Sequence, residues 1–280
     1  MHFIFFDDFK PGVVVNEMVI DLSAVVNGSY SAGPQEILRK FITNYDELLP
    51  KIDELCDSNS GLPLDSLRLR PPVPEPAHLI CAMNNYKRDG RFVDLDFFLK
   101  SSTCIIGPGD TIELPEIQAD VFHHEPELAV VIKRRGKNIK ESQAMDYVFG
   151  YTGFIDVSAR GVGVTYFLRK SFDTFGPMGP ALVTADEIPD PHNLKVRLWV
   201  NDHLRHDFST SDMEIRIEKL IEESSSVCTL FPGDVISSGT HHQGLGPIQH
   251  GDVVTMEIES VGKISVNVVD PLRRNWKVPS

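Results

Sequence analysis

Beyond residue 78 the chain is cut every few residues by glycine or proline, and that punctuation limits what it can build. Residues 78–83 read as a buried strand, 128–133 as another, and 147–156 as a third, broken by Gly150 and Gly153. Residues 195–200 alternate polar and apolar, as a half-buried strand does. Residues 253–259 and 264–268 alternate too, and Ser260-Val261-Gly262-Lys263 between them suits a hairpin. One helix interrupts the strands. It is expected over 212–227, with Ile217, Leu220 and Ile221 on one face and Asp212 as N-cap. Many strands with few helices predict an α+β, mainly β chain arranged as a sandwich, roll or barrel.

The first 60 or so residues differ. Short strands are expected at 13–15 and 18–22, then helices at 34–41 and 45–56, where Leu48, Leu49, Ile52 and Leu55 recur at helical spacing. Residues 58–76 are rich in proline, serine and glycine, with Pro71, Pro72, Pro74 and Pro76 close together. That is the chemistry of a stiff extended linker. It predicts a small N-terminal α+β domain over 1–70 and a larger domain over 71–280.

The net charge of −13 argues against a protein that tracks nucleic-acid phosphates, which needs a basic stripe. It also means that an anionic substrate must be drawn in by local cations or by a metal. The N-terminus has only four apolar residues, Phe3-Ile4-Phe5-Phe6, before two acids, so no signal peptide is expected there. No run reaches the ~20 apolar residues of a membrane span. Cys56, Cys81, Cys104 and Cys228 form no C-x-x-C pair and read as thiols in a reducing compartment. A cytoplasmic protein with no membrane partner is expected.

Glu125-Pro126-Glu127 opens the apolar run Leu128-Ala129-Val130-Val131-Ile132. Residues two apart on a strand share a face, so both carboxylates project together. Their repulsion and desolvation would be offset by a divalent cation, and hard oxygen ligands suit Mg²⁺, Mn²⁺ or Ca²⁺. The same spacing also occurs on solvated edge strands. Asp156 follows Gly153-Phe154-Ile155 and could supply a third oxygen, or instead pair with Arg160. Lys170 is placed to add positive charge if it lies beside a metal. Residues 239–247 hold three glycines but no Walker lysine. His123-His124 and His241-His242 are adjacent pairs, and at most one of each pair can face a common site.

Taken together, these segments resemble the fumarylacetoacetate hydrolase family. The carrying residues include Asn85-Tyr86, Phe98-Leu99-Lys100, Gly107-Pro108-Gly109-Asp110, Glu125-Pro126-Glu127-Leu128, Asp156-Val157-Ser158-Ala159-Arg160, Lys170-Ser171-Phe172-Asp173-Thr174, Pro232-Gly233-Asp234 and Gly239-Thr240. The resemblance spans residues 79 to about 270. It implies a mixed β-sandwich roll, a homodimer, and Mg²⁺ or Mn²⁺ held by Glu125, Glu127 and Asp156. It implies Lys170 beside the metal as a catalytic group, and Tyr86, Arg160 and Thr240 at a small anionic oxo-acid substrate.

Two departures bear on the reaction. Family hydrolases carry a water-activating His and Glu after Asn-Tyr, where this chain has Asp89 and Phe92. Many members have Asp-x-Gln after Ser-Ala-Arg, where this chain has Gly161-Val162-Gly163. Asp89 or one of the histidines, His241 among them, is left as the expected base. The implied activity is metal-assisted C–C bond hydrolysis of an acylpyruvate-type acid. The alternatives are isomerase, tautomerase or decarboxylase chemistry on a hydroxymuconate- or oxaloacetate-type acid, or a non-catalytic metal-dependent binding protein.

Overall fold

A computed structural model describes residues 1–26, 33–58, 60–86 and 94–277. Asp89 and Phe92 therefore lie outside the described residues. No helix among those described is long and apolar enough to cross a membrane.

The chain is mainly β, as its punctuation predicts. One large mixed sheet runs from Leu62–Pro63 through Met18–Asp21, Lys10–Val15, His2–Phe6, Gly176–Thr184, Val148–Ile155, Pro126–Ile132, Val235–Ser237 and Leu79–Met83 to Asp96–Leu99. A second sheet is ordered His203–Ser209, Lys195–Val200, Val253–Ile258, Gly262–Val269, Thr111–Glu113. The two sheets pack face to face, strand Gly176–Thr184 against Gly262–Val269 and Val148–Ile155 against Val253–Ile258. This is an open sandwich with its core between the sheets.

Gly150 and Gly153, which sequence alone presents as strand breakers, are instead places of close approach. A Cβ on Gly150 would lie 2.1 Å from the carbonyl oxygen of Val183 on the neighbouring strand. One on Gly153 would lie 2.6 Å from Met256 of the opposite sheet. Lys195–Val200 alternates exposed and buried residues, as its polar–apolar pattern requires.

The N-terminal strands extend the large sheet. Phe3 pairs with Leu182 in register, and its ring stacks on Phe41 of helix Pro34–Thr43 at 4.3 Å. The proline-rich stretch after residue 70 packs inward, with Pro71, Pro72, Pro74 and Pro76 all buried. The later helix begins at Ile217, not near Asp212. Asp212 closes a capping box with Ser209 on a single 3-10 turn, and Met213 then becomes extended. The amides of Glu214 and Ile215 bond to Asn85 instead of to a helical turn. Several strands were not expected from the sequence, among them His2–Phe6, Gly176–Thr184 and His203–Ser209.

Candidate active site

The three carboxylates meet because of strand register. Strands Pro126–Ile132 and Val148–Ile155 are antiparallel, with Pro126 opposite Ile155 and Glu127 opposite Phe154. The ladder continues one residue further, where the Asp156 amide donates to the Glu125 carbonyl at 2.9 Å. Residues opposite each other share a face, as do residues two apart. Glu125, Glu127 and Asp156 therefore all project to one side. One oxygen from each lies within 4.8 Å of the others, and the three residues are at most 5% exposed.

Each carboxylate has its own partners. Glu125 accepts from Lys170 Nζ at 2.7 Å, from Ser158 Oγ at 3.1 Å, and from Arg160. Glu127 accepts from the Ser237 hydroxyl and from the Gly239 amide at 3.2 Å. Gly239 has φ +83°, a conformation that suits glycine and turns its N–H toward Glu127. Asp156 accepts from Lys100 at 2.5 Å on Oδ1 and from Lys170 on Oδ2. Arg160 thus pairs with Glu125 and not with Asp156.

The electrostatics differ among these groups. Burial works against ionised Glu125, but Lys170 and Arg160 outweigh it and hold its carboxyl well below the usual range. Glu127 has no Lys or Arg bonded to it among the described residues. Burial and then the Asp156 charge push its carboxyl up. Burial would also lower Lys170, yet Asp156, Glu125 and Glu127 hold its ammonium firmly protonated. Burial, then Arg160, pushes His123 down to about 4.

These groups line a small cavity of ≈ 130 Å³, together with Arg160, Thr240 and His242 and with Ala82, Met83, Phe98 and Tyr166. Lys170 reaches it from helix Tyr166–Lys170, with Nζ 5.0 Å from the Phe98 ring centroid. Thr240 is buried, and its Oγ1 has no hydrogen-bond partner among the described residues. Two open grooves, of ≈ 780 and ≈ 610 Å³, are larger but lie along the N-terminal strands, away from the carboxylates.

The remaining expected residues fall outside this lining. Tyr86 is buried and packs on Phe208 and His241 at 5.2 and 6.0 Å between ring centroids. Of the 241–242 pair, His242 lines the cavity. His123 accepts from Arg160 Nε at 3.2 Å, and His124 is fully buried against His206. Gly161 and Gly163 both have positive φ, and a Cβ on Gly161 would lie 2.3 Å from the Asp120 carboxyl, so this turn brings no polar side chain to the cavity. Sequence reasoning gave no role to Lys100, Ser158 or Ser237. Their contacts arise from strands distant in the chain, and the only local hint was a lysine closing the apolar run Phe97-Phe98-Leu99.

The set of donors fits a hard divalent cation: three carboxylates, no sulfur, and like charges crowded with one carboxyl pushed up by its neighbours. Comparison with known proteins agrees with that chemistry. Residues 79–269 match the family model described as fumarylacetoacetate (FAA) hydrolase C-terminal. The chain belongs to the fumarylacetoacetate hydrolase family. It is 39% identical over 270 residues to the mitochondrial oxaloacetate tautomerase of Xenopus laevis, covering 90% of this chain and 82% of that protein. It is 34% identical over 283 residues to the maleylpyruvate hydrolase of Aquipseudomonas alcaligenes, covering 94% and 97%. The crystal structure of maleylpyruvate hydrolase from Sphingobium sp. SYK-6, in complex with manganese(II) ion and pyruvate, superposes with a TM-score of 0.90 at 34% identity, covering 96% of this chain and 99% of that one. In this family, then, the mixed β-sandwich expected from the sequence is the fold found.

Proposed function

We propose that this chain is a divalent-metal-dependent enzyme acting on a small 2-oxo or β-diketo acid, by C–C bond hydrolysis of an acylpyruvate-type substrate. The observation that carries the reading is the convergence of three buried carboxylates, Lys170 and an unpartnered Thr240 hydroxyl on one small cavity. Glu125, Glu127 and Asp156 would hold Mn²⁺ or Mg²⁺, and Ca²⁺ also fits oxygen donors. Such a cation supplies Lewis-acid polarisation of a 2-oxo group.

Charge supports an anionic substrate. Glu125 and Asp156 are bonded to Lys100, Lys170 and Arg160, two carboxylates against three cations, while burial and Asp156 push the Glu127 carboxyl up. A divalent cation leaves the site positive, which draws an acid into a chain of net charge −13. Thr240 Oγ1 donates to the substrate carboxylate, and Arg160 adds its charge at the half-exposed side. Lys170, kept protonated by its neighbours, stabilises negative charge on the oxo-acid fragment as it forms.

In hydrolysis, water adds to the distal carbonyl, the C–C bond breaks, and its electrons pass to the oxo-acid fragment as an enolate that is then protonated. His242 lies at the cavity and is the histidine best placed to receive the proton of the water. Asp89 stays a candidate, while His241 sits against Tyr86.

A second reading is tautomerisation or isomerisation without hydrolysis. It is favoured by Asp89 and Phe92 standing where family hydrolases carry their water-activating pair, since enolate stabilisation alone suffices for those reactions. An assay with Mn²⁺ or Mg²⁺ on acylpyruvates, oxaloacetate and hydroxymuconates in ¹⁸O-water separates them. Hydrolysis yields two acids with label in one. Tautomerisation yields neither cleavage nor label in a new acid. Turnover of none of these acids would count against the proposal as a whole.

Other parts of the proposal concern context. We also propose a homodimer and a small N-terminal domain over residues 1–70, both on the sequence alone. We further propose a cytoplasmic location, on the wide sequence spacing of Cys56, Cys81, Cys104 and Cys228.

A further inference from the structure

Asp156 lies between two buried lysines that are held in different ways. Lys100 closes the strand Asp96–Leu99, and its side chain is fully buried. An ammonium has three donors, and Lys100 directs all three at fixed acceptors. They are Asp156 Oδ1 at 2.5 Å, the Phe175 carbonyl at 2.6 Å and the Val157 carbonyl at 3.3 Å. Two of these acceptors are backbone; the Phe175 carbonyl also accepts from the Val157 amide at 3.1 Å, so loss of Lys100 strands the Val157 carbonyl together with Asp156 Oδ1. The partners of Lys170 Nζ are carboxylates, Glu125 Oε2 and Asp156 Oδ2, and it also faces the cavity beside Phe98.

We propose that Lys100 is a positioning residue for the metal site: it occupies Asp156 Oδ1 permanently and so presents Oδ2 alone toward Glu125 and Glu127. The inference rests on the metal reading above. With no donor left over, Lys100 cannot serve as acid, base or substrate contact, and it acts only through Asp156. If its ammonium is lost, Oδ1 is left buried and unsatisfied. The nearest remaining donor is Lys170. A carboxylate with a bare second oxygen draws Lys170 more tightly or rotates away from the other two acids. Either change opposes binding of a cation, even though one repelling positive charge has gone. Groups that orient a ligand in this way govern metal affinity by about 10–100-fold.

The test uses the full-length protein, Lys100→Met and Lys100→Arg, stripped of metal and titrated with Mn²⁺ by calorimetry. Wild type should bind Mn²⁺. Lys100→Met should bind Mn²⁺ roughly tenfold or more weakly. Lys100→Arg keeps the charge and should retain most of the affinity. A purely structural lysine would lower the melting temperature of Lys100→Met and leave Mn²⁺ affinity unchanged. That result, or tighter binding, overturns the proposal. If wild type itself binds no Mn²⁺, the metal reading fails first, which is a distinct outcome. A crystal structure of wild type with Mn²⁺ covers the case in which the variants do not fold. The proposal requires Lys100 on Oδ1 and the ion on Oδ2, and a cation chelated by both oxygens of Asp156 contradicts it.

Discussion

The main-chain amide of Asp156 donates to the carbonyl of Glu125 at 2.9 Å, so the two carboxylates are brought together by a strand ladder and not by their own side chains. Charge at the site can therefore change without moving the backbone that presents it. The carboxylates should nevertheless differ in what their neutralisation does to the metal-free fold. Asp156→Asn leaves Lys100 and Lys170 buried with no matching anion on Asp156 and should destabilise by about 3 kcal/mol or more. Glu127→Gln replaces a buried carboxyl that burial and Asp156 push up and that has no cation bonded to it among the described residues, and should leave stability unchanged or raise it. Urea unfolding of both variants without metal checks the contrast, and equal losses would refute it.

Thr240→Val offers a separation of binding from stability. The Thr240 hydroxyl is buried and has no hydrogen-bond partner among the described residues, so an isosteric methyl should cost no stability. The same hydroxyl is proposed to donate to the substrate carboxylate. Loss of a hydrogen bond to a charged group, about 1.5–3 kcal/mol, should raise KM by roughly tenfold or more, with kcat less affected. Unchanged KM would remove Thr240 from the substrate.

Acid should destabilise the protein through His206. Burial pushes this imidazole down to about 3, and its ring packs on His124 at 5.1 Å between centroids. Above pH ~6.5 the ring is neutral in both folded and unfolded chains. As pH falls from there toward 3, the unfolded chain takes up a proton that the folded one refuses. Stability is then lost at up to about 1.4 kcal/mol per pH unit from this group. His206→Phe should flatten the dependence of unfolding free energy on pH over that window. An unaltered slope would contradict the assignment.

The parts of the molecule legible in sequence were those fixed locally. Alternation marked Lys195–Val200, and two-residue spacing put Glu125 and Glu127 on one face. Asp156 stood out as an acid ending an apolar strand. Contacts set by register were not legible. Nothing near Lys100 or Ser237 in the chain says that one will bind Asp156 and the other Glu127, because both arrive on strands paired over long separations. The helix start was misplaced because the Asp212 side chain caps a single 3-10 turn, a choice made by contacts with Ser209 and Asn85. The glycines at 150 and 153 looked like breaks, since the Val183 carbonyl and the Met256 side chain that exclude a Cβ belong to other strands.

Calorimetric titration of the metal-stripped protein with Mn²⁺, run beside Glu127→Gln, tests the central claim most directly. The account predicts that wild type binds one ion per chain and that Glu127→Gln, folded as well as wild type, loses about 100-fold or more in affinity, as expected for removal of a direct charged ligand with its buried partners left behind. Equal affinity in the two proteins, or no binding by wild type, would contradict it.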